Sequence, residues 1–218
     1  MDGQPAVVLV PPDPNGTMVL FTHGEARTEV DIVKDPLKRD IVERLAGAGY
    51  LVAGSLGRGD AWGAPESVSD QAALVDYVEA EYGTTETFMW AQSMGGVASL
   101  RAIPEIQPAA WLGTFPVCNL SSITVPRLAA SIATANPGGV LDRTAVPGGN
   151  VLDGLPMLWT ASPEDAAVPK EENSDRCSQQ AARAGADSEV VETVGLHDDP
   201  SNFDTELVVG FFERVRRS

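Results

Sequence analysis

The sequence predicts an α/β fold: one domain with a mostly parallel sheet covered by helices on both faces, a three-layer α/β/α sandwich. Three observations carry that expectation. Short, nearly continuous apolar runs alternate with longer stretches in which apolar residues recur at helical spacing. The strand-like runs are apolar on successive residues, as strands buried on both faces of a parallel sheet must be. No internal repeat and no linker-like stretch divides the 218 residues, so a single domain, 1–218, is expected.

The elements follow in order. Ala6 to Val10 is a short strand stopped by Pro11-Pro12, and Thr17 to Thr22 is a second; the turn signal Pro14-Asn15-Gly16 between them suggests a hairpin. Asp35-Pro36 opens a helix with Leu37, Ile41, Val42 and Leu45 at helical spacing, closing at Gly47-Ala48-Gly49. Tyr50 to Ser55 is a buried strand. Its following loop, Leu56 to Gly63, is glycine-rich but lacks the lysine of a phosphate-binding loop. Ser67 to Glu81 reads as a helix with Ala72, Leu74, Val75 and Val78 inward. An apolar strand from Thr85 through Gln92 breaks at Ser93 into a helix running to about Ile106. Strands at Ala109 to Val117, Pro156 to Ala161 and Glu189 to Val194, with helices at Ser174 to Ala186 and Phe203 to Val215, complete the alternation.

Between Val117 and Pro156 the alternation stops. This stretch carries Leu120, Ile123, Val125, Leu128, Ile132, Val140 and Leu141 among the glycine pairs Gly138-Gly139 and Gly148-Gly149. A connection of that length is uncommon in a compact domain unless it serves a site, so 120–154 is expected to be a lid or cap insertion.

Composition sets outer bounds. Hydrophobic residues make up 43% and charged residues 21%, which is ordinary for a globular chain. No window approaches the roughly 18 consecutive apolar residues of a membrane helix, and Met1-Asp2-Gly3-Gln4 does not look like a secretory leader. A soluble protein is expected, cytoplasmic or secreted, with no membrane span; the sequence is silent on oligomeric state. The formal charge of −16 opposes approach to nucleic acid or to an anionic membrane. Lysine occurs only at 34, 38 and 170, and the acidic excess serves solubility or adaptation to salt. Cys118 and Cys177 are compatible with two buried thiols or with one bridge. The two histidines, His23 and His197, belong to no metal-ligand pattern, so no metal is expected.

The stretch around Ser93 is the most informative. A serine hydroxyl is a poor nucleophile at neutral pH and needs a nearby base and a place at a helix N-terminus. Ala91-Gln92-Ser93-Met94-Gly95 supplies the small residues that let strand and helix pass closely around such a serine, and Gly96 lets the helix pack tightly. In parallel α/β sheets functional groups gather at the carboxyl ends of strands. His23-Gly24-Glu25, Ser93, Asp165 and His197 each follow one of the predicted strands.

In these residues the chain resembles the α/β-hydrolases of the serine esterase and lipase type, from about Val7 to the C-terminus. The order Ser, acid, His is theirs. Asp165-Ala166-Ala167-Val168-Pro169 is similar to the segment around their acid, Gly195-Leu196-His197 to the Gly-x-His that carries the base, and Phe21-Thr22-His23-Gly24 to the His-Gly turn whose next N–H helps bind the oxyanion. Ala91 departs from the usual elbow glycine. The resemblance implies catalysis by Ser93, Asp165 and His197, an oxyanion hole formed by the backbone N–H groups of Met94 and Glu25, and no cofactor. His23 is expected to support the oxyanion turn, with Gly24 and Gln92 lining the cleft and Trp62 either lining it or packing under a helix, while Trp90, Trp111 and Trp159 belong to the core. Asp60, Asp198 and Asp199 tune the site or only solvate its rim.

The implied reaction is hydrolysis of a carboxylic ester through an acyl-enzyme, with a small and uncharged acyl ester as substrate. The same machinery serves serine peptidases, thioesterases and acyltransferases, and a fold kept only for binding is the alternative of a different class. The chain carries no further domain to restrict peptide entry, which puts the ester first.

Overall fold

The computed structural model describes residues 3–138 and 144–217. Among these, seven strands form one sheet: β1 (Ala6–Leu9), β2 (Thr17–Thr22), β3 (Leu51–Ser55), β4 (Glu86–Gln92), β5 (Ala110–Thr114), β6 (Pro156–Ala161) and β7 (Asp187–Glu192). Their spatial order is β1-β3-β2-β4-β5-β6-β7, with every pairing parallel except that of β1 with β3.

The expected hairpin between the first two strands does not form, because β3 lies between them. The turn signal is real but points elsewhere. Asn15 donates its backbone N–H to Gly49 O (2.8 Å) and its side-chain amide to Ala48 O (2.8 Å), so the connection is tied to the start of β3 and β1 returns along that strand's outer edge.

Helices cover both faces. On one lie α1 (Asp31–Lys34), α2 (Pro36–Gly47) and α7 (Thr205–Arg216); on the other lie α3 (Pro65–Tyr82), α4 (Gly95–Ile106), α5 (Pro126–Ala135) and α6 (Arg176–Arg183). Local signals place several ends. Asp35 caps α2 by accepting from Leu37 N (3.0 Å), with Pro36 in the first turn, and Asp204 caps α7 by accepting from Leu207 N (3.0 Å). Gly83 ends α3 in the left-handed conformation that a helix C-terminus favours. The short α1 was not anticipated, since a four-residue helix is too brief for any periodicity.

The strand alternation sorts the core into two clusters. Met18 and Leu20 face α3 and α4, while Val19 and Phe21 face α2 and α7. Trp90, Trp111 and Trp159 are fully buried, as expected, and the last two pack at a centroid distance of 4.4 Å, a contact worth about 1 kcal/mol beyond its area. Lys38 is also fully buried, against expectation for a lysine. It pairs with Asp35 and lies over the rings of Phe203 (5.0 Å) and Phe21 (5.8 Å).

The segment from 120 to 154 is less of an open flap than its length suggests. Leu120, Ile123, Leu128, Ile132, Ala145, Val146 and Leu152 are buried in the cluster shared with α3, α4 and α6. Val140 and Leu141 lie outside the described residues. Cys118 and Cys177 form a disulfide, settling the alternative left open by the sequence and stapling the start of this segment to α6. No helix among the described residues is long and apolar enough to cross a membrane.

Candidate active site

Six residues other than glycine have left-handed backbone among the described residues, and five of them, Ala26, Arg58, Trp62, Ser93 and Phe115, sit in loops leaving the carboxyl ends of β2 to β5. Each such residue costs roughly 1 kcal/mol or more, so their gathering on one sheet edge marks where the fold is constrained for a purpose.

Ser93 is the sharpest of these turns, with φ of 49° between β4 and α4. Its N–H donates to Thr114 O (3.1 Å), and its carbonyl accepts from Gly96 N (2.9 Å) and Val117 N (2.8 Å), so the backbone is held from both sides. A Cβ on Gly95 would come within 2.2 Å of Thr22 O, and one on Gly96 within 2.5 Å of Val117 O, which is why both positions are glycine. Ala91 is buried and needs no such allowance.

The two loops beyond bring the other groups to Ser93. His197 Nε2 lies 2.9 Å from Ser93 Oγ, and His197 Nδ1 lies 2.7 Å from Asp165 Oδ2. Asp165 is 3% exposed, and its other oxygen accepts from Ala167 N (2.9 Å) and Val168 N (3.0 Å). These bonds orient the carboxylate and fix its free oxygen toward the imidazole. Glu164 takes no part in this contact. The histidine loop is anchored by Asn202, whose amide donates to Leu196 O (3.1 Å) and His197 O (3.3 Å). Phe115 backs the imidazole at a centroid distance of 4.5 Å. Asn202 and Phe115 escaped the sequence reading, because neither has a local signal.

His23 is 5% exposed, with Nδ1 2.8 Å from Gly24 O and Nε2 2.9 Å from Leu56 O. Both contacts brace the turn after β2. That turn is also clamped by Asp60, whose Oδ1 accepts from Ala26 N (2.7 Å). The backbone N–H groups of Glu25 and Met94 have no acceptor among the described residues, and they lie in the loops after β2 and β4. Asp199 works apart from the site: it accepts from Ser201 N, which holds its carboxyl below the ordinary range.

A pocket of about 400 Å³ opens over Ser93. Gly24, Gln92 and His197 line it together with the unanticipated Arg27, Arg127 and Leu128. Trp62 does not. It is 1% exposed and donates from Nε1 to Ser131 Oγ (2.8 Å) on α5, so it ties that helix down instead of lining this pocket. Arg127, also on α5, pairs with the Glu25 carboxylate across the pocket. The carboxamide oxygen of Gln92 is buried without a hydrogen-bond partner. Among the described residues no group of three or more His, Cys, Asp and Glu side chains could hold a metal ion.

No protein-family model and no curated protein sequence matches the chain. Solved structures do. The chain is similar to TT1662 from Thermus thermophilus (TM-score 0.72, 13% identity, 99% of this chain and 95% of that one). It is also similar to Est1E from Butyrivibrio proteoclasticus in its ferulic acid-bound form (0.66, 16%, 99% and 96%). A third is the Pyrococcus horikoshii acylaminoacyl peptidase (0.69, 13%, 96% and 39%). The chain has the α/β-hydrolase fold. Within that fold, esterases, lipases and peptidases are all among its structural neighbours.

Proposed function

We propose that this α/β-hydrolase-fold protein is a serine hydrolase that cleaves carboxylic esters through an acyl-enzyme, with Ser93 as nucleophile, His197 as base and Asp165 as its orienting acid. The observation that carries this reading is the unbroken chain Ser93 Oγ, His197 Nε2, His197 Nδ1, Asp165 Oδ2, with contacts of 2.9 and 2.7 Å, at the floor of a pocket open to substrate.

In this mechanism His197 takes the Ser93 proton as Oγ attacks the ester carbonyl, and Asp165 holds the tautomer that leaves Nε2 free to accept it. The oxyanion of the tetrahedral intermediate is received by the N–H groups of Met94 and Glu25, each donor lowering the barrier by about 3 kcal/mol. His197 then protonates the departing alcohol. Water, deprotonated by the same imidazole, attacks the acyl-enzyme and releases the acid. None of these steps draws on a cofactor. The ester reading over the peptide one is supported by Est1E, whose chain and this one cover each other almost completely.

A fluorophosphonate probe tests the reading directly. Stoichiometric labelling is expected at Ser93 alone, and Ser93→Ala is expected to lose roughly four orders of magnitude or more in ester hydrolysis while keeping its fold. Labelling of a different serine, or activity retained in the alanine variant, sinks the assignment. A panel of nitrophenyl esters, thioesters and peptide amides then separates esterase from thioesterase and peptidase.

A further inference from the structure

The lining of the Ser93 pocket contains two arginines in a chain whose net charge is −16. Their situations differ. Arg127 is paired with Glu25, whose carboxylate is nearly buried, and so is largely neutralised. The Arg27 side chain has no hydrogen-bond or ion-pair partner among the described residues, although the residue is half-buried in the pocket wall.

The carboxylates on the next turns of chain have other partners. Asp35 gives one oxygen to Leu37 N and the other to the buried ammonium of Lys38, and Asp31 accepts from Thr28 N (2.5 Å). Arg27 is close enough to act on that buried pair. Burial raises the Asp35 pKa, but the Lys38 and Leu37 hydrogen bonds and the charges of Lys38 and Arg27 outweigh it and hold the carboxyl below its ordinary range. Lys38 is lowered, chiefly by burial, with the Arg27 charge adding to the effect. The Asp35–Lys38 pair already holds its own cation and so leaves the Arg27 charge without a counter-ion there.

The backbone that carries it is also fixed. Arg27 N donates to Gly24 O (3.3 Å), closing a turn whose third residue, Ala26, is held in left-handed geometry (φ 56°) by the Asp60 clamp. Arg27 thus follows by two residues the N–H assigned to the oxyanion, on the same braced loop. The one acidic side chain lining the pocket besides the paired Glu25 is Asp198.

We propose that Arg27 receives a carboxylate on the substrate, so that the pocket takes half-esters: carboxylic esters with a free carboxylate on the acyl or the alcohol half. The inference rests on the ester-hydrolase reading and replaces the expectation of an uncharged substrate. That expectation came from Met94 as an apolar wall beside the nucleophile and, further, from net charge; Met94 does not line this pocket, and net charge does not report what does. At physiological ionic strength, repulsion from surface carboxylates more than about 8 Å away is largely screened, whereas a guanidinium in a concave wall meets its ligand in contact.

The test measures kcat/KM for two matched ester pairs by titrating the acid released. Ethyl hydrogen glutarate against ethyl pentanoate puts the carboxylate on the acyl half; the butyrate ester of β-hydroxypropionate against propyl butyrate puts it on the alcohol half. The charged member of one pair is expected to be preferred, naming the half that meets Arg27. Arg27→Gln is expected to lower that charged-to-neutral ratio roughly tenfold or more, Arg27→Lys by less, and Asp198→Asn to raise it. No preference in either pair, or a ratio that Arg27→Gln leaves unchanged, overturns the proposal. A second arm needs no turnover: pentanoate and pentanamide are titrated into the Ser93→Ala protein and followed by the ring-proton NMR signals of its two histidines. Tighter binding of pentanoate, lost in the Arg27→Gln, Ser93→Ala double variant, supports the anion site; equal binding of both overturns it. Anion binding in a protein that hydrolyses no ester would sink the hydrolase reading and leave the Arg27 site standing.

Discussion

The two walls of the Ser93 pocket are built by different means. One is the loop after β2, from His23 to Arg27, which runs straight off a central strand and is braced by the His23 ring and the Asp60 carboxylate. The other is α5, which leaves the sheet altogether and is tied back at separate points: the disulfide ahead of it, Trp62 on Ser131, and Arg127 on Glu25. The residues proposed as catalytic, Ser93, Asp165 and His197, are mounted in loops that leave strand ends. The α5 wall is held by tethers that lie outside the sheet.

The sharpest way to break that comparison is at the strand-mounted side. Asp165 receives two backbone N–H groups and the imidazole, so Asp165→Asn keeps the geometry but presents an amide where His197 needs an acceptor. A loss of about four orders of magnitude in kcat is expected, with little change in thermal stability. Glu164→Gln should leave hydrolysis within a factor of about three, because the side chain is outside the hydrogen-bonded chain. A mild effect of the first substitution beside a severe one of the second would transfer the acid role to Glu164.

The tethered side should respond in stability before it responds in chemistry. The Cys118–Cys177 bridge closes a loop with a sequence separation of 59, for which chain entropy gives about 4 kcal/mol. Replacing both cysteines by serine is expected to lower the melting temperature by on the order of 10 °C, and the surviving folded protein should still be labelled at Ser93 by a phosphonate. Both sulfurs are buried, so slow reduction of the native protein by dithiothreitol should accompany the effect. Loss of phosphonate labelling in folded protein would mean that the bridge positions the nucleophile, and the division between the two sides would fail.

The same division explains what could be read without a structure. Strand, elbow and helix around Ser93 are encoded within a dozen consecutive residues, because Gly95 and Gly96 are demanded where the turn passes close to Thr22 and Val117. Asp165 and His197 were legible for a related reason: each lies in a short loop directly after a strand, so strand order alone delivers it to the sheet edge. The partner of β1 was not legible, since Pro14-Asn15-Gly16 specifies a turn and says nothing about which strand is met beyond it. Arg27, Arg127 and Phe115 were missed because their meaning depends on loops that approach only in the folded chain. The sequence leaves Trp62 between two readings, and the structure takes the one that packs it under a helix. A tryptophan in a loop beside a strand end suits a cleft, but here the indole N–H finds Ser131 and the ring is buried beneath α5.

The smallest expected effect concerns how α5 selects among neutral acyl groups. The segment from 120 to 154 was expected to act as a lid, and excising it would be a poor test, because Leu120, Ile123, Ile132 and Leu152 are part of the core. Leu128 offers a cleaner one: it is 8% exposed, lines the pocket beside Arg127, and sits on the helix face turned toward Ser93. If α5 sets the depth of the pocket, kcat/KM for neutral esters should rise about fourfold per added methylene, the equivalent of about 0.8 kcal/mol each, until the chain meets Leu128. Leu128→Ala removes that stop and should carry the rise one or two carbons further, with acetyl ester hydrolysis reduced only a few-fold and the fold checked by circular dichroism. A plateau at the same chain length in both proteins would show that α5 covers the pocket without measuring what enters it, and selectivity would then lie with the loop after β2.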